Sequence, residues 1–549
     1  MNVIDTIKAS FFKIIATSYQ LSEQTLIERC NFELITNEEK KAFGDISSNA
    51  AMVIAKELRQ NPRALATQLT QKFSHPFVER IELAGPGFLN FFLKPQAFQT
   101  MYQELHTHKS HFFKLAPEVK KHNINIEFVS ANPTGPLHFG HGRNGIIGDV
   151  LGNVLKFLGH KVTKEFYIND AGEQIRKLGV SFKIRIEQAL GNNIELPEDA
   201  YHGEYLKTLA EQFLQEFGKD GIKKPQAFLE EYAKNHMLDA LKYTLENYGI
   251  MFDVWFSEKQ LHESGQIQKA LDLLKKNNYL YEQEGAWWFK STEFGDDKDR
   301  VMIKSDGSLT YVSADAGYVQ NKFSRGFDSL IMVLGHDHHS FVQRLHGIMQ
   351  ALEYDPKTLD VILYQLVRIL KDGALARMSK RAGNIISLED IIETVGKDVA
   401  RFFYLNRKAD AELEFDVDLA LQQSNENPVY YIQYAYVRTH SIIRKAKEEY
   451  GYMPIFTMQN LTPDEQLIIK KIIELKHLLE HIAATHHTHL IAYYTYEIAH
   501  LFHKYYNSSK VIQEDNQQNS EEKLGFILLI QQTLELCCNL MGISCPEKM

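Results

Sequence analysis

Cysteine is scarce in this chain: four residues in 549, Cys30, Cys537, Cys538 and Cys545, with no C-x-x-C pair among them. That is too few to staple a chain of this size, so no disulfide framework is expected and a reducing cytoplasm is the expected setting. Long apolar runs are missing as well. No stretch approaches the roughly 20 residues that span a bilayer, so no membrane partner is expected. The opening MNVIDTIKASFFKIIATSYQ has no small-residue cleavage site and reads as an amphipathic helix, not a leader. Positive charge is not in excess: 61 basic against 70 acidic residues leave a net −9. A protein that coats DNA is thereby disfavoured, and any nucleic acid must be a specific RNA held by local patches. The chain also lacks internal repeats, low-complexity tracts and a Ser-His-Asp or Cys-His constellation for nucleophilic catalysis.

What is present is an ordinary globular composition, on a chain long enough for roughly three to four domains. In the first 115 residues, NAAMVIAKELRQ has helical spacing, with Ala51, Ile54, Ala55 and Leu58 on one face. RIELAGPGFLNFFL reads as strand, turn and strand, and the lysine-rich KSHFFKLAPEVKKHN as an exit linker. INIEFV suits a buried parallel strand, followed by a Pro/Gly loop and a helix carrying Ile147, Val150, Leu151, Val154, Leu155 and Leu158. Gly148 and Gly152 let that helix sit close on its neighbours. KVTKEFYIN, SLIMVLG and VILYQLVRIL are further strands, with long charged helices between. Strands alternating with helices predict a doubly wound α/β fold, and from about residue 387 onward helical periods predict a bundle.

The stretch PLHFGHGRNG, residues 136–145, holds two patterns. Gly140-x-Gly142-x-x-Gly145 spells a dinucleotide fingerprint, with Glu165 near the place of a ribose-binding acid. That fingerprint needs its first glycine directly after the strand, whereas Gly140 falls about ten residues beyond it, which disfavours an NAD-linked oxidoreductase. The other pattern sets His138 and His141 three apart at a helix start, where both imidazoles and the helix N-terminus can face a phosphate chain. Two capping or surface histidines are the plain alternative. Some 240 residues later, ARMSKRAGN crowds Arg377, Lys380 and Arg381 around Met378 and Ser379 in a glycine-ended loop. Such a loop can close over a triphosphate and supply cations to it, or it is a solvated basic loop. Two phosphate-directed elements on one α/β chain favour the first reading.

HFGH and RMSKR resemble the HIGH and KMSKS signatures of class I aminoacyl-tRNA synthetases. The stretches FGDISSNAAMVIAK, IEFVSANPTGPLHFGHGRN, YINDAGEQI, IKSDGSLTYVSADAGY, GHDHHSFVQRL, NPVYYIQYAYVR and GISCPEKM resemble arginyl-tRNA synthetases of the bacterial type, and together they span nearly the whole chain. The resemblance implies an N-terminal additional α/β domain over 1–115 that touches the tRNA elbow. It further implies a Rossmann-like catalytic domain over 116–386, a stem-contact linker over 387–426 and an α-helical anticodon-binding domain over 427–549. The implied enzyme is a cytoplasmic, monomeric arginine–tRNA ligase. It activates L-arginine with ATP and Mg²⁺ and passes it to tRNA(Arg). His138, Gly140, His141 and Gly142, with Arg377, Met378, Ser379 and Lys380, are then the nucleotide site, and His138, His141 and Lys380 the catalytic groups. The chain departs from KMSKS at both ends, where Arg377 and Arg381 stand, and an arginine fork is not a lysine point charge. Some arginine enzymes lack the second lysine and carry a substitute just before the histidines; here Lys380 is present and Gly135 holds that place.

An arginine side chain presents five donors and no acceptor, so its pocket needs carboxylates and a flat surface. YVSAD puts Tyr311 and Asp315 four apart, on one face if helical, and Glu127 is an acid in an apolar strand with Asn132 after it. By resemblance Tyr311 and Asp315 face the guanidinium, Asn132 and Glu127 hold other polar groups, and Asp337 in GHDHH lines the cleft near the adenylate. Without the resemblance, Tyr311 reads as packing and Asp315 as a surface charge. NPVYYIQYAYVR gathers Tyr430, Tyr431, Tyr434, Tyr436 and Arg438, the residue types that unstacked bases need. Periodicity makes most of these tyrosines core, while the resemblance gives Tyr430, Tyr434 and Arg438 to RNA. Asn49 is either a tRNA-elbow contact or, with Ser47 and Ser48, a helix cap. HDHH (336–339) and the cluster His477, His481, His486, His487, His489 invite a zinc reading, but no cysteine or third ligand stands at a metal-binding spacing, so no metal site is expected. A non-catalytic RNA-binding relative remains the second rival.

Overall fold

The computed structural model describes residues 2–375 and 386–549. Its centre is a five-stranded sheet whose spatial order is Leu359–Tyr364, Ser329–Gly335, Asn123–Glu127, Lys161–Ile168, Val254–Ser257. Every neighbouring pair is parallel. The chain enters in the middle, works out to one edge, and returns on the other side of its first strand. That doubly wound course leaves a crevice beyond the carboxyl ends of Asn123–Glu127 and Ser329–Gly335, where the winding reverses. The loops leaving these two strands carry HFGH and HDHH. Ile124 and Ile126 are buried, as a strand covered on both faces requires.

The helix His141–Leu158 lies against this sheet. A Cβ at Gly148 would fall 2.2 Å from the Phe128 ring, and one at Gly152 would fall 2.6 Å from the Lys164 side chain, so both glycines permit the close approach expected of them. Asp149 on the same helix sits at a buried node. Lys164 Nζ lies 2.5 Å from Asp149 Oδ1, and Arg401, fully buried on the helix Lys397–Leu405, donates to Asp149 Oδ2. Arg401 also donates to the carbonyls of Tyr248 at 2.9 Å and Met541 at 2.8 Å, while Asn153 donates to that of Leu540 at 3.1 Å. The end of the last helix is thus bound to the helix that begins with His141.

The N-terminal unit is an antiparallel sheet, ordered Phe32–Leu34, Ile46–Ser48, Phe88–Leu93, Val78–Ala84. Helix Val3–Tyr19 buries Ile7, Phe11 and Ile15, and helix Ala50–Leu58 buries Ala51, Ile54 and Ala55. The expected exit linker is partly core: Lys109–Phe113 is a helical turn with Phe112 and Phe113 buried. VILYQLVRIL is not one strand but two, Leu359–Tyr364 in the central sheet and Val367–Lys371 in a separate three-stranded sheet. Three helices between Glu173 and Asn247 pack around their own core of Leu178, Phe182 and Phe213. The antiparallel strands Leu280–Gln283, Ala286–Phe289 and Arg300–Ile303 carry no signal that periodicity had marked. The C-terminal helices Pro428–Tyr450, Pro463–Thr485, His489–Ser508 and Gln517–Met541 form the expected bundle. By length and apolar content the last of them could cross a bilayer, which the search for apolar runs did not flag, but 72% of its most apolar window is buried within the protein.

Candidate active site

Beyond Glu127 the chain turns sharply. Val129 and Ser130 both have left-handed backbones, φ 65° and 44°, a conformation a β-branched valine rarely adopts. Buried Asn144 holds the turn, accepting from the Val129 N–H at 2.6 Å and donating to the Val333 carbonyl at 3.0 Å. One amide side chain therefore clips together the two strand ends that flank the crevice.

The two histidines follow, and backbone contacts set their tautomers. The Gly140 N–H donates to His138 Nδ1 at 3.1 Å, and the His138 N–H donates to His141 Nδ1 at 3.0 Å. With Nδ1 accepting, each neutral imidazole carries its proton on Nε2 and becomes a donor there. Burial holds His141 below the usual histidine range, which favours that neutral donor. Gly140 is the N-cap of the helix, and no side chain among the described residues caps it. The leading N–H groups are turned back on the chain, His141 to the His138 carbonyl at 2.8 Å and Gly142 to the Phe139 carbonyl at 3.1 Å, so what the helix offers an anion is the positive end of its dipole. Gly142 packs inward: a Cβ there would meet the Tyr404 ring at 2.7 Å and Leu388 at 2.8 Å.

A second segment is pinned to this motif. The Phe139 N–H donates to the Ile386 carbonyl at 3.2 Å, the Leu388 N–H donates to the Leu137 carbonyl at 2.8 Å, and His138 bridges Ser387 in antiparallel fashion. Arg377, Met378, Ser379 and Lys380 lie outside the described residues.

Beside the crevice is a cavity of about 330 Å³. Glu127, Tyr311 and Asp315, three of the five residues expected to bind arginine, line it. Tyr311 stands at the mouth, 73% exposed. Asp315 lies at the floor; its Oδ2 has no hydrogen-bond partner, and burial pushes its carboxyl up to about 7. Asn132 is exposed on the loop and does not line the cavity; Asp337 is 85% exposed at its side chain, and His338 lines the wall instead. Three further lining groups had not been singled out: Glu258, Lys322 and Arg344. Lys322 was legible, since Tyr311, Asp315, Tyr318 and Lys322 follow a four-three-four spacing on one helix, Tyr311–Ser324. Glu258 follows the short strand Val254–Ser257, which had no strand signal of its own, so its position could not be inferred. Glu165 is spoken for: Tyr318 donates to it at 2.6 Å and Arg325 at 2.9 Å, so it cannot serve a ribose as the dinucleotide pattern requires.

Elsewhere, Asn49 does not cap its helix; its Oδ1 accepts from the Asn31 N–H at 2.7 Å, while the Ser48 hydroxyl takes the Ala50 N–H at 3.2 Å. On the helix Pro428–Tyr450, Tyr436 is buried and Tyr431 packs against the core, while Tyr430 and Tyr434 are half-buried. Tyr430 and Tyr434 stack at 6.3 Å and 15°, and Arg438 lies 4.6 Å over Tyr434 and 4.8 Å over Tyr506. His486 pairs with Asp360 at 3.8 Å, and His477 with Glu480 at 3.3 Å. Among the described residues no group of three or more His, Cys, Asp or Glu side chains is arranged to hold a metal.

Residues 103–415 match the family model for the class I tRNA synthetase (R) catalytic domain, residues 432–549 the DALR anticodon binding domain, and residues 5–93 the arginyl tRNA synthetase N terminal domain. An arginine–tRNA ligase of Halalkalibacterium halodurans is 39% identical over 559 residues, covering 100% of both chains. One from Carboxydothermus hydrogenoformans is 41% identical over 527 residues, covering 94% of each. In structure, the chain is similar to Thermus thermophilus arginyl-tRNA synthetase over 100% of both chains, with a TM-score of 0.75 at 19% identity, a likeness of fold.

Proposed function

The chain belongs to the arginyl-tRNA synthetase family of class I aminoacyl-tRNA synthetases, and from that premise we propose that its acidic cavity takes the arginine side chain and its switch-point crevice takes ATP. The reaction is arginine–tRNA ligation in two steps. An arginine carboxylate oxygen attacks the α-phosphorus of ATP, forming arginyl-adenylate as pyrophosphate leaves. A hydroxyl of the 3′-terminal adenosine of tRNA(Arg) then attacks the carbonyl carbon, and AMP leaves. Both steps need alignment and charge stabilisation more than a side-chain nucleophile.

In this reading the Nε2–H groups of His138 and His141 donate to the phosphate chain, and the positive end of their helix dipole faces it. Lys380 adds a cation to the departing pyrophosphate. Mg²⁺ travels with the nucleotide phosphates and offsets their charge, which suits a site where, among the described residues, no carboxylate group is arranged to hold a metal. The stacked face of Tyr430, Tyr434 and Arg438 meets anticodon bases. Asn49, already bonded to Asn31, acts at the tRNA elbow through the surface it shapes. All four cysteines are free, which fits a reducing cytoplasm, and the enzyme is taken to work there as a monomer.

One observation carries the assignment: a buried carboxylate oxygen of Asp315 that lines the cavity and has no hydrogen-bond donor. Such an atom costs free energy unless a cationic donor arrives to take it. The test is ATP–pyrophosphate exchange with tRNA present, using arginine, lysine and citrulline. Exchange with arginine alone supports the reading; citrulline, the same shape without charge, should give none. Exchange with citrulline, or RNA binding with no exchange at all, would overturn it.

A further inference from the structure

Three carboxylates face the cavity: Glu127 from its strand, Glu258 from the start of helix Glu258–Glu263, and Asp315 from helix Tyr311–Ser324. Two cations face them, Lys322 and Arg344, the latter from helix His339–Ala351. The two partnerships differ in kind. Lys322 Nζ donates to Glu127 Oε2 at 2.6 Å, with the side chains only 3% and 6% exposed, a closed pair. Arg344 stops short: its Nη2 lies 3.7 Å from Asp315 Oδ2, beyond hydrogen-bond length, and Arg344 Nε has no partner. The Phe341 ring, 4.9 Å from the guanidinium carbon, supports Arg344 at that distance. The other titratable groups around Asp315 are Tyr167, Tyr311 and Tyr318, His338 on the wall, and His262, which sits 3.8 Å from Glu258.

Three ionised carboxylates against two cations leave one unit of negative charge among these five groups. A substrate guanidinium supplies one positive unit, and the α-amino and α-carboxylate groups of arginine cancel. The cavity and its ligand are then balanced. Without Arg344 the cavity would hold two uncompensated negative charges, and a proton on Asp315 is the readiest relief. A tight Arg344–Asp315 bridge would fail in the opposite way, by filling the oxygen the substrate needs.

We infer that Arg344 is a positioning and specificity-determining residue for arginine, a resident guanidinium near enough to favour the ionised form of Asp315 and too far to occupy the oxygen that the substrate takes. This role rests on the cavity being the arginine pocket. It accords with the forces on Asp315: burial raises its pKa, Arg344 opposes the rise, and Glu258 and Glu127 add to it.

The experiment is aminoacylation by the full-length enzyme, with arginine titrated from pH 6 to 9, for wild type, Arg344→Met, Arg344→Gln, Arg344→Lys and Asp315→Asn. Arg344→Met and Arg344→Gln should raise the arginine KM about tenfold at pH 7, with ATP and tRNA KM values unchanged. The acid limb of kcat/KM for arginine should move up by about 1–2 pH units, as loss of an opposite charge at this range predicts. Arg344→Lys should bring the limb back. A merely structural role would lower activity at every pH and would not be rescued by charge. If Asp315→Asn leaves the arginine KM unchanged, the pocket assignment itself is wrong. If Asp315→Asn raises it but neither neutral Arg344 variant moves the limb, only the role of Arg344 falls.

Discussion

The backbone of Phe139 donates to the carbonyl of Ile386 at 3.2 Å, joining the histidine motif to the second residue beyond ARMSKRAGN. Two elements some 240 residues apart in sequence therefore share one anchor.

Lys380→Ala should slow adenylate formation by roughly 10²–10³, as loss of one charge-stabilising donor does. Pyrophosphate exchange with tRNA present measures this directly. A rate within a fewfold of wild type would remove Lys380 from the phosphate site.

The elements that place the site were legible because each had a strong local period or spacing. The buried strand INIE, the helix after HFGH, and Tyr311 with Asp315 on one face all follow from side-chain spacing. What escaped were groups whose position depends on distant packing. Arg344 reaches the cavity from a helix beyond the neighbouring strand, and Glu258 from a helix start that follows a strand too short to show alternation. Periodicity alone does not separate Tyr430 and Tyr434 from Tyr436, because it shows that a stripe exists, not how much of it neighbouring helices cover.

Asp315 should give the wild-type enzyme an acid limb. Its carboxyl sits near 7, raised by burial, and must be ionised to pair with a guanidinium. Arginine kcat/KM should therefore fall about tenfold per pH unit below 7, and Asp315→Asn should flatten that limb. Stability follows the same sign. A carboxyl raised from its ordinary 3.8 binds its proton more tightly in the folded state, so the ligand-free protein loses stability as pH rises from about 4 through 7. Bound arginine should restore it, raising Tm more at pH 8 than at pH 6. An equal shift at both values would contradict this.

The Asp149 node predicts a large stability effect. Burial alone would raise the Asp149 carboxyl, but Arg401 and Lys164 overcome it and hold it below the usual range. Its stabilising contribution is present at neutral pH and is lost as pH falls through that lowered value. Arg401→Leu leaves a buried carboxylate half-compensated and frees the carbonyls of Tyr248 and Met541. Urea unfolding should show a loss of about 3–5 kcal/mol. Arg401→Lys should recover only part of it, because an ammonium cannot reach all three acceptors as the guanidinium fork does.

On the bundle, two tyrosines of one helix should respond in opposite ways. Tyr434 is half-exposed, stacked on Tyr430, and its hydroxyl accepts from Arg438 Nη2 at 2.7 Å, so ring and cation are fixed before any base arrives. A base stacked there is worth about 1–3 kcal/mol. Tyr434→Ala should thus raise the tRNA KM roughly tenfold or more, leaving arginine and ATP KM values and the unfolding midpoint close to wild type. Tyr436, two residues on, is buried against the bundle. Tyr436→Ala should instead lower stability by about 3–5 kcal/mol, as large aromatic truncations in a core do. Urea melts and tRNA titrations on both variants separate the two faces. An unchanged tRNA KM in Tyr434→Ala would mean that the stacked tyrosines brace the bundle and that RNA is read elsewhere.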